Sequence, residues 1–452
     1  MTNAIVSQLE LVIETVPIET IKDNALNPRK HSPRQLKALA RSIRDFGFVA
    51  PVLIDKDNVL ICGHGRVSAA RSLSLAAVPA LRVEHLSPAQ VRALMIADNK
   101  LGDMSSFDDA LLIENFKLLS VEGMSLDLET TSFTMGEIDV LLDQPAPADT
   151  PDPDDEPVEA GSTLPVNRVG DVWQLGVHRM ACGNSLDPEV WSELMQGEKA
   201  VMSCSDVPYN IVIAGNVSGL GKIRHSNFVM ASGELDRDEF TAFLEQAFRL
   251  TAQHSVSGSI HFTFIDWKHL GEMQAAGDAA FSELKNVIVW DKGKNGGMGS
   301  LYRSAHELIF CWKAGRGRHI NNVSLGMWGR NRTNIFRYPG IASFRHSDEG
   351  DLLALHSTPK PVRMIADAIL DVSNRGDLVV DAFLGSGTSI IAAERVGRRC
   401  YGIELDPKYA DTIIARYERH SGVQAVHCGS GRTFAEIAEE RLAAPLGEKV
   451  DG

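Results

Sequence analysis

Apolar residues recur at helical spacing after Ser32-Pro33: Leu36, Leu39, Ala40, Ile43 and Phe46 share one face. Serine before proline is a helix start, since the first helical position needs no N–H donor. Pro51–Cys62 reads as two short strands around Asp55–Asn58. Gly63-His64-Gly65-Arg66 follows, then a helix through Ala69, Ala70 and Leu73. A second Ser-Pro start, Ser87-Pro88, predicts a helix to about Asp98, and a further helix is predicted over Asp108–Leu119. Residues 1–143 therefore read as a small α+β domain.

Residues 166–452 alternate short apolar runs with amphipathic stretches, the pattern of an α/β sheet. The predicted strands are Val201–Ser205, Ser259–Phe264, Asn286–Trp290, Glu307–Trp312, Asp377–Asp381 and Cys400–Leu405. The predicted helices include Asp236–Ala252, Pro361–Val372, Thr388–Val396 and Pro407–His420. Between the two regions, 144–165 is rich in Pro and carries six acidic residues and no basic one. That composition predicts an extended, solvated linker.

Composition removes several classes. The 452 residues hold 45 Lys+Arg against 59 Asp+Glu, a net charge of −14. An apolar content of 44% and a charged content of 23% argue against wholesale disorder. No apolar run approaches the roughly 18 residues of a membrane span. Glu10, Glu14 and Glu19 argue against a signal peptide. Six cysteines without a CxxC pair exclude a disulfide scaffold and a zinc-finger site. No metal is expected, and the expected compartment is the reducing cytoplasm.

The candidate chemistry begins at a glycine loop. A buried-strand pattern ending at Asp381 runs into Ala382-Phe383-Leu384-Gly385-Ser386-Gly387-Thr388 and then a helix. Glycines there let a ligand approach the backbone closely. The FxGxG loop lacks the lysine of a Walker loop. A carboxylate at Asp381 suits a cofactor with a cationic amino-acid part. Glu404 ends the next strand, where an acid can accept hydrogen bonds from two ribose hydroxyls. The set fits S-adenosylmethionine (SAM), with Asp381, Phe383, Gly385, Ser386, Gly387, Thr388, Glu404 and Asp406 as candidate contacts.

Asp206-Val207-Pro208-Tyr209-Asn210 follows another strand-like run. It resembles the D-P-P-Y loop of amino-group DNA methyltransferases, with Val207 where that family has proline. An exocyclic base amine is a poor nucleophile, because its lone pair is delocalised into the ring. The resemblance implies that Asp206 and the Val207 carbonyl accept its two N–H bonds, that Pro208 fixes the turn, and that Tyr209 stacks on the flipped base. Thr358-Pro359-Lys360-Pro361 resembles the family's motif near the cofactor, giving Thr358 and Lys360. Gly183-Asn184-Ser185 stands where the family contacts the SAM adenine, giving Asn184. Because Asp206 precedes the glycine loop, the order is that of the β class, which methylates adenine N6 or cytosine N4. Asp in first position resembles the adenine type. The resemblance covers about 166–441 and implies a Rossmann-like SAM-dependent methyltransferase, a mixed α/β sheet with helices on both faces.

Lys313–His346 carries seven cations, no acid and four interleaved aromatics. That is the footprint of a nucleic-acid surface. It puts Arg316, Arg318, Arg330, Arg332, Arg337 and Arg345 forward for double-stranded DNA, within a target-recognition insert over about 291–356. His306 and Glu307 are read as structural, since methyl transfer to an amine needs little general-base power.

In residues 18–119, Asn27-Pro28-Arg29, the hairpin and Gly63–Arg66 resemble the ParB/sulfiredoxin-like domain. The resemblance implies nucleotide phosphates at Arg29, Gly63, His64, Gly65 and Arg66, with Arg71 beside them. His64-Gly65 replaces the Glu-Arg of ParB itself. Fusions of this kind resemble phage or prophage modification enzymes, acting on nucleoid DNA in the cytoplasm. A catalytically decayed DNA-binding regulator is the alternative, and the sequence leaves a homodimer open.

Overall fold

The computed structural model describes residues 12–121, 128–142, 152–155, 164–210, 233–293, 301–323, 330, 332–340 and 360–443. The chain divides into two compact units, Met1–Asp143 and Gln144–Gly452.

The first unit is built on four strands: β1 (Ile13–Pro17), β2 (Val52–Ile54), β3 (Leu60–Cys62) and β4 (Ala77–Arg82). Their order is β1-β4-β2-β3. β4 is central, antiparallel to β1 and parallel to β2. The apolar pattern did not predict β1 or β4. Pro79 breaks β4's sequence signal, and only Val78 and Ala80 point into the core. Ser32 starts the helix Pro33–Phe46 as expected, its hydroxyl accepting from the Gln35 N–H at 3.1 Å. Ser87 caps Pro88–Gly102 with a reciprocal Ser87–Gln90 box. Val16, Ile21, Val52, Ile54, Leu60, Val67 and Val78 form the core.

The second unit is a ten-stranded mixed sheet. Its strands are β5 (Val172–Leu175), β6 (His178–Cys182), β7 (Ala200–Asp206), β8 (Ser255–Ile265), β9 (Glu283–Asp291), β10 (His306–Lys313), β11 (Ile335–Arg337), β12 (Leu378–Asp381), β13 (Arg399–Glu404) and β14 (Val426–His427). The order is β11-β9-β10-β8-β7-β12-β13-β6-β5-β14. From β8 through β6 all neighbours run parallel. β10 is antiparallel to both β8 and β9. Both faces are covered, and β10 shows how. Its Ile309 and Cys311 pack with the helix Val362–Val372, while Leu308, Phe310 and Trp312 pack with helices Arg237–Gln253 and Leu270–Ala280. A strand buried on both faces reads as one continuous apolar run.

Within 291–356, the predicted strand at Glu307–Trp312 forms as β10 and pairs with β8 and β9. One expectation changes here. The acidic segment 152–155 is not free in solvent but docked, partly buried, on the folded unit. Asp152 accepts from both Arg395 guanidinium nitrogens at 2.6 and 2.7 Å, and Asp154 pairs with Arg395 and with His420 at 2.8 Å. Asp155 accepts the Val362 N–H at 2.8 Å, at the start of a helix. Opposite charges on the folded unit hold what local composition alone would leave in water. Among the described residues no helix is long and apolar enough to cross a membrane.

Candidate active site

β7 and β12 are parallel neighbours, with Val380 opposite Ser203. Their carboxyl ends therefore lie side by side, and the loops leaving them meet. The Ala382 N–H donates to the Ser205 hydroxyl at 3.2 Å across that junction. Ligand sites in open α/β sheets form at such strand ends.

The loop after β7 is pinned at several points. Val207 is buried among Phe240, Phe243 and Leu244, so the residue that departs from the family pattern is part of the core. Asn210 takes a left-handed φ of 50°, and its amide holds Gly233 and Leu235 backbone groups. Asp206 and Tyr209 face a set of charges. Lys360 Nζ lies 2.6 Å from Asp206 Oδ2 and 3.3 Å from Glu307 Oε2. The Tyr209 hydroxyl lies 2.9 Å from Asp206 Oδ1 and 3.0 Å from Glu307 Oε2. Lys292 pairs with the other Glu307 oxygen. Glu307 and Lys360 are only 7% and 4% exposed, whereas Asp206 keeps 25%, so the aspartate is the outer member. Lys360 Nζ sits over the rings of Tyr209, Phe264 and Trp290 at 5.4 to 5.7 Å.

Burial alone would raise the Glu307 carboxyl; Lys360 and Lys292 outweigh it and bring it down to about 2. Burial likewise pushes Asp206 up, and Lys360 only partly opposes it. Burial would lower Lys360, but Asp206 and Glu307 raise it. The cluster sets two lysines, Lys360 and Lys292, against two acids, Glu307 and Asp206.

The glycine loop stands beside it. Gly385 and Gly387 adopt φ of 54° and 78°. A Cβ on Gly387 would meet Ile413 at 3.0 Å, and Gly387 then caps the helix Thr388–Arg395. Asp381 is buried, accepting from the Ser389 hydroxyl at 2.6 Å and the Phe383 N–H at 3.0 Å, and burial pushes it up to about 6. Glu404 accepts the Gly385 and Asp406 N–H groups at 2.8 and 2.9 Å, and burial pushes it up to about 7. The Gly183 N–H donates to the Glu404 carbonyl at 2.8 Å, which brings Asn184 to the same strand end.

A family model for DNA methylases of the N6/N4 type matches residues 202–415, and one for the ParB N-terminal domain matches 3–99. Among curated relatives, the ParB-like nuclease domain-containing protein YnaK of Escherichia coli (strain K12) is 40% identical over 74 residues, 16% of this chain and 85% of that protein. Type II methyltransferase M1.MboII of Moraxella bovis is 25% identical over 254 residues, 52% of this chain and 93% of that protein. A solved putative DNA modification methylase of Thermus thermophilus, complexed with SAM, is 20% identical with a TM-score of 0.39, covering 55% of this chain and 96% of that one.

The chain belongs to the N6/N4 DNA methylases, with a ParB-like domain at its N-terminal end.

The cofactor of this DNA methylase is SAM, and the residues at the glycine loop fit it. The loop backbone carries no side chain at Gly385 or Gly387, and a raised Glu404 would regain its charge beside hydroxyl donors or a cation. Phe383 is half-buried at 5.9 Å from Phe243, ring to ring. Thr388 and Ser386 are both bonded by Arg416 from behind the loop. The Asp406 carboxylate caps the helix Pro407–Ser421 by accepting the Lys408 N–H at 2.8 Å. Lys360, put forward as a cofactor contact, is paired with Asp206 and Glu307.

The arginines put forward for DNA divide. Arg316, Arg318 and Arg337 are exposed. Arg330 and Arg332 are not surface cations: Arg330 pairs with Asp367 and Asp371, and Arg332 bonds Asp371 at 2.8 Å and the Tyr338 hydroxyl at 2.7 Å. These two arginines neutralise acids on the helix Val362–Val372. Arg345 and Thr358 lie outside the described residues, as does most of the glycine-rich stretch 293–299.

In the ParB-like unit, Gly63 at φ 98° caps the helix His64–Ser72. A Cβ there would meet Val52 at 2.6 Å, and one on Gly65 would meet His31 and Leu39 at 3.0 Å. His64 Nε2 is buried without a hydrogen-bond partner, and burial lowers that imidazole. Arg66 is half-buried on the first turn. Arg29 and Arg71 are held by Asp103 and Asp23 through paired hydrogen bonds of 2.8 to 3.0 Å.

Sequence reasoning missed Glu307 and Lys292 as members of the site. A signal was present: Glu307 opens the otherwise apolar run Leu308–Trp312, and an acid on a buried strand needs a cationic partner.

Proposed function

We propose that this methylase transfers a methyl group from SAM to the N6 amine of a flipped adenine in double-stranded DNA, at a specific sequence. The observation that carries the reading is the adjacency of Asp206 and the glycine loop at the ends of β7 and β12, with Asp206 the outer, half-buried carboxylate of the charge cluster. SAM supplies an electrophilic methyl group. Asp206 accepts one amine N–H and the Val207 carbonyl the other, which turns the nitrogen lone pair toward the methyl. Tyr209 and the neighbouring aromatics flank the base. Asp206, raised by burial, takes the proton that the amine releases and passes it to water. Arg316, Arg318 and Arg337 contact DNA. Adenine is favoured over cytosine by aspartate at the first loop position, and nucleotide binding at Gly63–Arg66 is part of the same proposal for the ParB-like unit.

The test is direct sequencing of modified bases in DNA from cells expressing the protein or Asp206→Ala. The expected result is 6-methyladenine in one motif with the wild type only. 4-Methylcytosine would transfer the reading to cytosine N4. Neither base, in a folded protein that binds SAM, would overturn the enzyme reading for the DNA-binding regulator.

A further inference from the structure

The reaction places positive charge where this pocket already holds two lysines. A cationic cofactor enters, and the amine nitrogen becomes cationic as its N–C bond forms and the S–C bond breaks. An unbalanced ammonium beside that nitrogen opposes the step. Lys360 lies 2.6 Å from the Asp206 oxygen and Lys292 stands one residue beyond β9. What offsets them is Glu307, the inner carboxylate, which contacts both lysines and is set opposite Trp290 in the β9–β10 register.

We propose that Glu307 is the positioning residue of methyl transfer: it neutralises Lys360 and Lys292 together, and gives Lys360 a second partner when the target amine takes its place on Asp206. The geometry suits an exchange. Lys360 already lies within 3.3 Å of Glu307, so a small displacement of one ammonium moves its charge from the outer to the inner carboxylate. The Tyr209 hydroxyl has one proton and two carboxylate oxygens within 3.0 Å, Asp206 Oδ1 and Glu307 Oε2, so it can donate to Glu307 and leave Asp206 free for the amine. Asp206 then meets the amine with its full acceptor strength. The inference rests on the methyl-transfer reading of this site and adds a residue and a role to it.

The test uses charge balance. Glu307→Gln leaves the pocket with one excess positive charge, and Lys292→Met combined with Glu307→Gln removes that excess. Full-length wild type and the variants Glu307→Gln, Lys292→Met and the double would be compared by calorimetric binding of SAM and of S-adenosylhomocysteine, which lacks the sulfonium charge. Thermal melting would check folding. Glu307→Gln is expected to weaken SAM more than S-adenosylhomocysteine, by about tenfold in the ratio of affinities, and the double variant to restore the ratio. In turnover, Glu307→Gln is expected to lose kcat by about ten- to a hundredfold, with a pH profile displaced to the alkaline side, where one lysine loses its proton. The double variant should recover kcat relative to Glu307→Gln. An unchanged SAM to S-adenosylhomocysteine ratio in Glu307→Gln would overturn the proposal, as would a double variant no better than the single one. If Glu307→Gln fails to fold, the Lys292→Met variant decides alone: its excess negative charge must strengthen SAM relative to S-adenosylhomocysteine, and no change in that ratio overturns the proposal. Absence of any methylated base from the wild type would instead count against the methyl-transfer reading, a separate failure.

Discussion

Glu404 is buried, bonded by two backbone N–H groups, and still raised to about 7. Desolvation outweighs two amide donors, so near neutrality the carboxyl carries a proton that the unfolded chain would have lost. The sign follows. Between about pH 4.5 and 7 the folded state binds the extra proton, so this group's contribution to stability falls as pH rises through that window. Hydroxyl donors on a bound cofactor favour the ionised form, so SAM affinity should move the other way. We expect it to rise from pH 6 toward 8, by up to about tenfold per unit below the raised pKa, with proton release measured by titration calorimetry in buffers of different ionisation heat. Glu404→Gln should flatten both trends. Affinity independent of pH across 6 to 8 would contradict this assignment. At this scale the sequence showed much: Asp206, Tyr209, Asp381 and Glu404 were legible from their motifs. The pairing of Lys360 with Asp206 was not, because a contact between residues 154 positions apart leaves no local pattern; Glu307 left a signal, an acid opening an apolar run, that did not name Lys292 or Lys360 as its partners.

At the scale of elements, helix starts were the best-marked features, since Ser32-Pro33 and Ser87-Pro88 act on their own first turns. The parallel strands β7, β8, β12 and β13 were also visible as apolar runs. β5 and β6 were not, because Gln174, His178 and Arg179 interrupt their apolar residues, and neither were β11 and β14, which are short and only partly buried. The segment 152–155 was misread for a related reason. Its acids look solvated until Arg395, Arg416 and His420 are brought to them by the helices Thr388–Arg395 and Pro407–Ser421. Arg416 links this segment to the glycine loop, donating to the Asp154 carbonyl at 2.7 Å and the Ser386 carbonyl at 2.9 Å. We expect Asp152→Asn with Asp154→Asn to cost about 1 kcal/mol of stability, more at low salt than at high. Denaturant midpoints at two ionic strengths measure this. A double variant with the wild-type midpoint at both would show that the docked segment adds nothing.

At the scale of the whole molecule, two cores are closed separately. Leu60 is fully buried in the core of the ParB-like unit, and the methylase sheet has its own clusters on each face. Leu60→Ala should therefore destabilise the first unit by about 2–5 kcal/mol and leave SAM affinity unchanged. Calorimetric unfolding alongside SAM titration would check it; a loss of SAM binding would show that the two units are energetically one. The sequence by itself determined the two-part organisation, the order of the motifs and the candidate residues for cofactor and base. Those features are local, written in spacing, glycine placement and caps. Only the tertiary structure decided which cations are exposed and which are bound inside, where the acidic segment lies, and that a second carboxylate neutralises the lysines of the pocket. Charges are long-range and desolvation depends on everything packed around a group, so their roles were settled only when distant strands came together.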